Sequence, residues 1–273
     1  MDFFVDSDLD KAKLVMQYRT SSNFDHIYFS SNECLKNIFS QFDFKEKDIL
    51  TVLGSGDQAF YFYDSNAKSV DIFDINKLAF YYYFLRMWVV KYMNSFYLPI
   101  GFTTYYIFRL IELVKPTSKD EYNALEFWKK YALLFENNNH LRINLFEDFD
   151  YSLPNKIENL KKIRKRILLN DNNMYNIDIS SNFILDKKYD VIYVSNISNW
   201  LDKDKFILYR DNLYSLLNDS GYVICANLSL NGPTSHEKEV FEKNFDYYDL
   251  PVEYCSKKDE FIAPGYFYIK KSE

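Results

Sequence analysis

"KDILTVLGSGDQAFYFYDSNAKSVDIFDIN", Lys47 to Asn76, opens with "ILTVLG", a continuous apolar run rich in β-branched residues and ended by glycine. That is the pattern of a parallel strand covered on both faces. "DQAFYFYDSN" follows as a helix, "SVDIFDI" as a second apolar strand, and "NKLAFYYYFLRMWVVKYM" as a long second helix. Strand, helix, strand, helix in that order predicts an α/β fold: a Rossmann-like, doubly wound, mostly parallel sheet with right-handed crossovers.

Within this stretch Gly54-Ser55-Gly56-Asp57-Gln58-Ala59 fits the G-x-G-x-x-G/A fingerprint, and it stands between a strand and a helix as that motif requires. Glycines there permit positive φ and let a ligand lie against bare backbone, while Ala59 lets helix and strand pack closely. Asp74 follows Gly54 by 20 residues, at the carboxyl end of the second strand, where a carboxylate can accept hydrogen bonds from both hydroxyls of a ribose. Ile75 is its neighbour in the expected pocket. The plainer alternative is a tight turn followed by an aspartate that caps the helix beginning "NKLAF", since aspartate is a strong N-cap by itself. Spacing and context together favour an adenosine pocket.

Outward from this core, "LDKAKLVMQ" reads as an N-terminal helix, and a second helix runs through "ECLKNIFSQF", with Glu33 completing a capping box from Ser30. Residues 1–44 are thus expected as a helical cap. From 94 to 173 the strand–helix alternation stops. Residues 97–108 read as aromatic and loop-rich, and helices follow in "PTSKDEYNALEFWKKYALLFENN" and "NKIENLKKIRKRILL". This span is expected as a helical insertion acting as an acceptor-site lid. The sheet pattern resumes with "NMYNIDIS", the strong strand "KYDVIYVSNI", a helix through "KDKFILYRDNLYSLLN", a turn at Asp219-Ser220-Gly221 and the strand "YVICANLS". The alternating segments of "VEYCSKKDEFIAPGYFYIKK" predict a C-terminal antiparallel hairpin. The binding core therefore comprises residues 45–93 and 174–273.

Composition narrows the classes. With 273 residues, 48% of them hydrophobic, the chain can bury a large core. A net charge of -6 gives no general attraction to a phosphate backbone, so general nucleic-acid binding is not expected. Cys34, Cys225 and Cys255 are far apart without CxxC spacing, which argues against a disulfide framework or a zinc site, and no metal is expected. A reducing cytoplasm is the expected location, since "MDFFVDSDLDKAKL" is acidic where an export signal would be basic. "LAFYYYFLRMWVVKYM" is broken by Arg86 and Lys91 and is short for a bilayer span, so no transmembrane segment is expected. The 25 Tyr and 25 Phe reflect a compositional bias, so "FYYYFLRMW" reads as core and not as an aromatic cage. His26, His140 and His236 show no paired carboxylate or ligand spacing, and Cys225 reads as a small hydrophobe in a buried strand. The basic run Lys161 to Arg166 spreads around a helix and reads as a solvated face, with contact to an anionic membrane as its functional alternative.

The glycine loop (Gly54, Gly56), the ribose acid Asp74, the acidic Asp178 after a third strand, and "YDVIYVSNISNWL" resemble the class I S-adenosylmethionine-dependent methyltransferases. The resemblance covers roughly residues 45–93 and 174–269. It implies S-adenosylmethionine as cofactor, with Asp178 and Ile179 beside the adenine. It also implies transfer to a small-molecule or lipid-like acceptor. One departure stands out: where that family usually carries an acid two residues before the first glycine, this chain has Val52. Asp57, or Arg19 pairing with the methionine carboxylate, is the expected substitute. "DIN" before a long helix, "EFWKKY" and "VSNISNWL" further resemble the S-adenosylmethionine:diacylglycerol 3-amino-3-carboxypropyl transferase-like group, which moves a different carbon of the same sulfonium.

Ser195 through Trp200 lie where the fourth strand of such an enzyme opens toward the acceptor. There Ser195 would border the cofactor, Asn196 would orient an acceptor amine or hydroxyl, and Trp200 would wall the sulfonium by cation–π attraction. The alternative is a turn into a helix with Trp200 packed in the core. The residues leave open a noncatalytic S-adenosylmethionine-binding or protein-interaction domain, with the insertion meeting a protein partner, and, if the glycine loop holds a pyrophosphate, an NAD-dependent oxidoreductase. The 47 residues before Asp48 and the C-terminal hairpin count against the last.

Overall fold

The computed structural model describes Glu33 and residues 35–92, 104–135, 156–169, 172–227, 235–250 and 265–272. The chain divides into two compact units interleaved in sequence, one of residues 1–31, 53–64 and 74–170, the other of residues 32–52, 65–73 and 171–273.

The second unit is built on a seven-stranded sheet in the order β3-β2-β1-β4-β5-β7-β6. Its strands are β1 (Asp48–Val52), β2 (Ser69–Asp74), β3 (Met174–Asn176), β4 (Tyr189–Ser195), β5 (Leu217–Asn227), β6 (Phe245–Leu250) and β7 (Gly265–Lys271). β1 pairs parallel with β2 in the register Thr51↔Ile72 and with β4 in the register Leu50↔Ile192, and β4 pairs parallel with β5. β7 runs antiparallel to both β5 and β6. This is the Rossmann-like mostly parallel sheet with a C-terminal antiparallel hairpin that the alternation predicts. Ile49, Leu50, Ile72, Val191, Ile192 and Val194 are fully buried, which is why these strands read as unbroken apolar runs.

Two boundaries differ from the sequence reading. β5 begins at Leu217, earlier than "YVICANLS", and absorbs the expected Asp219-Ser220-Gly221 turn as an irregularity: Tyr189 faces Leu217, but Val191 already faces Tyr222. Gly221 is needed at this bend because an added Cβ would stand 3.0 Å from the carbonyl oxygens of Asn218 and Tyr189. The hairpin's first strand is the polar-faced Phe245–Leu250, upstream of "VEYC", while residues 251–264 lie outside the described residues.

Among the described residues this unit has the α-helices α1 (Leu35–Phe39), α7 (Lys203–Leu216) and α8 (Ser235–Phe241). Asp202 caps α7 by accepting from the Lys205 N–H at 2.9 Å. Phe241 of α8 meets Phe206 of α7 at a ring distance of 5.1 Å, and Phe39 of α1 meets Tyr193 edge-on at 5.2 Å.

The first unit is helical, with α2 (Asp57–Asp64), α3 (Lys77–Tyr92), α4 (Thr104–Leu113), α5 (Lys119–Phe135) and α6 (Lys156–Leu169). Twelve of the sixteen residues of α3 are buried, so its aromatic run forms the centre of this unit and not one face of an amphipathic helix. The Trp128 indole of α5 donates to the Tyr81 carbonyl at 2.7 Å, and Arg164 of α6 donates to the Val90 carbonyl at 2.5 Å. The basic run is therefore more than a solvated face: Arg164 and Lys162, which bonds the Asp64 carbonyl, fasten α6 to its neighbours while Ile163 and Ile167 are buried beside them. α5 starts at a capping arrangement in which Ser118 Oγ accepts from Glu121 N and Glu121 accepts from Thr117. α4 occupies the stretch read as loop-rich. Among the described residues no helix is long and apolar enough to cross a membrane.

Candidate functional site

β1, β2 and β4 run parallel, so the segments that leave Val52, Asp74 and Ser195 start from one edge of the sheet. The strand order reverses between β1 and β4, and in open α/β sheets that reversal at the carboxyl edge is where ligands bind.

The segment after β1 is a tight turn into α2. Gly54 has φ +50° and Gly56 φ +88°, and the Gly56 N–H closes on the Leu53 carbonyl at 2.6 Å. The two glycines serve different ends. A Cβ on Gly56 would stand 2.9 Å from Tyr83 Cδ2 of α3, so this glycine permits close packing of loop on helix. Among the described residues a Cβ on Gly54 would meet Gln58 Nε2, at 3.8 Å, an ordinary contact that leaves room for a ligand to lie against backbone.

Arg86 holds this turn from inside. It is fully buried in α3, with Nη1 donating to the Ser55 carbonyl at 2.6 Å, Nη2 donating to Asp57 Oδ1 at 2.5 Å, and its guanidinium 4.8 Å from the Phe60 ring centre. Ser55 Oγ in turn donates to Asp57 Oδ2 at 2.9 Å. Asp57 is tied into this turn through a buried ion pair with Arg86. Sequence reasoning missed Arg86 as a site residue; its signal was a lone cation in "FYYYFLRMWVV", the only charge in the buried part of α3.

Asp74 is brought to the same loop. Its Oδ2 accepts from the Gly54 N–H at 2.9 Å and its Oδ1 from the Asn76 N–H at 2.8 Å. Burial pushes its pKa up to about 6, against the opposing pull of these N–H donors. The capping alternative for Asp74 is answered by Asn76, whose Oδ1 accepts from Leu78 N at 3.0 Å and whose carbonyl accepts from Ala79 N. Asn76 is the N-cap of α3, and Asp74 faces the glycine loop. Ile75 is exposed beside it.

In the second unit Asp178 closes a turn after β3, accepting from Ser180 N at 2.9 Å and Ser180 Oγ at 2.6 Å, with Ile179 buried. Asn212 of α7 pins that turn by donating to the Ile179 and Ser181 carbonyls, each at 2.8 Å. Ser195 ends β4 with φ +52°, a left-handed conformation that is strained for a serine. Its hydroxyl donates to Glu33 Oε1, and the Tyr193 hydroxyl donates to Glu33 Oε2. Burial first, and then the Glu33 charge, hold the Tyr193 hydroxyl well above the ordinary tyrosine range. Glu33, read from sequence as a capping-box acid, is thus a tertiary partner of β4, a role no local pattern signals. Asn196 leads into a short 3₁₀ helix, Ile197–Trp200, in which Ser198 is buried. Trp200 is 56% exposed, which excludes the core-packing alternative. Arg19 lies outside the described residues.

No protein-family model matches the chain, and no curated protein matches it in sequence. Among solved structures it is similar to a TehB-like SAM-dependent methyltransferase from Corynebacterium glutamicum, at 12% identity over 98% of this chain and 99% of that one, with a TM-score of 0.45. It is likewise similar to the N-methyltransferase NodS from Bradyrhizobium japonicum in complex with S-adenosyl-L-homocysteine (9%, all of both chains, TM-score 0.43). A third likeness is to the glycopeptide N-methyltransferase MtfA complexed with sinefungin (9%, 88% of this chain and 86% of that one, TM-score 0.47).

Proposed function

We propose that this chain binds S-adenosylmethionine and transfers its methyl group to a small-molecule or lipid-like acceptor. The observation that carries the reading is the junction of Gly54 with Asp74, which joins the turn after β1 to the acid that ends β2. The residues fit the cofactor in two respects: Gly54 leaves room for a ligand against backbone, and the Asp74 carboxylate, oriented by the Gly54, Asn76 and Ile75 N–H groups, stands beside it as an acceptor for a ribose hydroxyl. Asp178 and Ile179 are assigned to the adenine, and Ser195, Asn196 and Trp200 to the reacting end.

When bound, the cofactor supplies a sulfonium that activates its attached carbons toward nucleophilic displacement. The chain's part is positioning: displacement at such a carbon needs an aligned acceptor more than a strong base. Trp200, exposed at the carboxyl edge, is suited to face a cation. The antiparallel β7 between β5 and β6 departs from the plain dinucleotide-binding order and supports this reading over NAD. The net charge of -6 supports an acceptor other than nucleic acid.

The test is turnover with a panel of amine, hydroxyl and lipid acceptors, identifying the by-product. S-adenosylhomocysteine supports methyl transfer. Methylthioadenosine would instead mean that the aminocarboxypropyl arm moves, and cofactor binding without either by-product would mean a noncatalytic binding domain.

A further inference from the structure

Glu33 is buried against the carboxyl end of β4 with one hydroxyl on each carboxylate oxygen: Tyr193 donates to Oε2 and Ser195 to Oε1. Both bonds are charge-assisted. Tyr193 is a fixed donor, since burial and the Glu33 charge hold its hydroxyl well above the ordinary tyrosine range. Ser195 differs. It is half-buried and ends β4 in a strained left-handed conformation. Its single proton goes to Glu33, and its other polar neighbour, Asn196 Oδ1 at 3.4 Å, is an acceptor too. Among the described residues no group donates to Ser195 Oγ, so its lone pairs are unmet. A serine polarised by a buried carboxylate, with its oxygen still able to accept, can pass a proton from an outside donor to that carboxylate.

Resting on the methyl-transfer reading above, we propose that the acceptor is a hydroxyl compound and that Glu33, acting through Ser195, takes up the proton which that hydroxyl gives up. The acceptor O–H donates to Ser195 Oγ. As its oxygen bonds to the methyl carbon, the carbon–sulfur bond breaks and the sulfur keeps the electron pair. The acceptor's proton passes to Ser195 Oγ and the serine proton to Glu33 Oε1. One positive and one negative charge vanish together, leaving S-adenosylhomocysteine, a methyl ether and a protonated Glu33, which returns its proton to solvent through Ser195 once the ether leaves. Tyr193 keeps the carboxyl in place throughout by its bond to Oε2. The pair favours a hydroxyl over an amine because a neutral amine attacks without a base and ends as an ammonium. An alcohol oxygen that kept its proton would end as an unstable oxonium.

The experiment compares wild type and Glu33→Gln, with S-adenosylmethionine and a set of simple alcohols, ring-substituted phenols of graded acidity, and matched amines and thiols. Calorimetry comes first: Glu33→Gln should bind S-adenosylhomocysteine as wild type does, since Glu33 serves the acceptor, and a loss of that affinity overturns the proposal. Wild type should methylate hydroxyls. Glu33→Gln should lower kcat for alcohols roughly 100-fold or more, and less as phenol acidity rises, because an acceptor already ionised has no proton to pass. A loss of one size for every hydroxyl is what a merely structural residue gives; that result, or no loss, overturns the proposal. Turnover confined to amines or thiols overturns it too, while the cofactor reading stands. If Glu33→Gln does not fold, Ser195→Gly makes the same comparison across acidities, because glycine takes this backbone conformation freely. Wild type that turns over no acceptor removes the methyl-transfer reading and this proposal together.

Discussion

Gly54 donates its backbone N–H to the Asp74 carboxylate at 2.9 Å across 20 residues of sequence, so the loop after β1 and the acid that ends β2 form one structure. Asp74→Asn removes one of the two carboxylate acceptors and turns an N–H group toward the donor of Gly54 or of Asn76. Affinity for adenosine ligands should fall roughly 10- to 150-fold, corresponding to about 1.5–3 kcal/mol. The loss should be the same for S-adenosylhomocysteine and methylthioadenosine, because both carry the ribose. Unequal losses would remove Asp74 from the ribose.

The same carboxyl sets a pH dependence. Burial pushes it up to about 6, and only the ionised form accepts from both ribose hydroxyls. Ligand therefore favours the charged form and binding displaces a proton below that value. Affinity should be constant above about pH 7 and weaken by up to about tenfold per unit as pH falls below 6. Calorimetry in buffers spanning this range checks it, and a flat profile for wild type would contradict the assignment.

Arg86 and Asp57 form a buried pair at 2.5 Å with side-chain exposures of 0% and 4%. Removing only the cation by Arg86→Met strands the carboxylate and frees the Ser55 carbonyl, for a loss of about 3–5 kcal/mol in chemical denaturation. The double variant Arg86→Met/Asp57→Leu should recover much of that stability but leave the loop unclamped and ligand affinity low. A loss for Arg86→Met below about 1 kcal/mol, the size of an exposed pair, would show that the loop does not depend on it.

The two glycines should respond unequally to alanine. Gly54→Ala meets the Gln58 amide at ordinary contact distance and suffers the left-handed backbone, about 1 kcal/mol. Gly56→Ala adds a 2.9 Å contact with the Tyr83 ring and should cost about 1–3 kcal/mol more. Pairing Gly56→Ala with Tyr83→Leu should restore part of the difference. Equal losses for the two glycines in thermal or chemical unfolding would contradict the packing role.

Glu33→Ala withdraws the carboxylate that accepts from Tyr193 and Ser195, and should destabilise the protein by about 3 kcal/mol, more than Tyr193→Phe, which deletes a single donor. Urea unfolding of the two variants compares them directly. A smaller loss for Glu33→Ala would mean that the hydroxyls find other acceptors.

The central strands were legible because burial on both faces writes itself as unbroken apolar runs, as in "ILTVLG" and "YDVIYVS". The helices α5 and α6 were legible from amphipathic spacing, and α5 also carries its own cap chemistry at Ser118 and Glu121. α4 was not, because "TYYIFRLIEL" is rich in aromatic and β-branched residues of modest helix preference, and packing against α3 and α5 decides its conformation. β6 was missed because "FDYYDL" carries its polar residues in a broken alternation. At the site, the fingerprint and Asp74 were readable as a spacing. Arg86, Asn76 and Glu33 were not, since each acts through a partner whose approach only the folded chain defines.

Titrating the folded, ligand-free protein by calorimetry with S-adenosylhomocysteine and, in parallel, with NAD tests the cofactor assignment most directly. Saturable binding of S-adenosylhomocysteine, with NAD weaker or silent, is the predicted result. Preferential binding of NAD, or binding of neither, would contradict it.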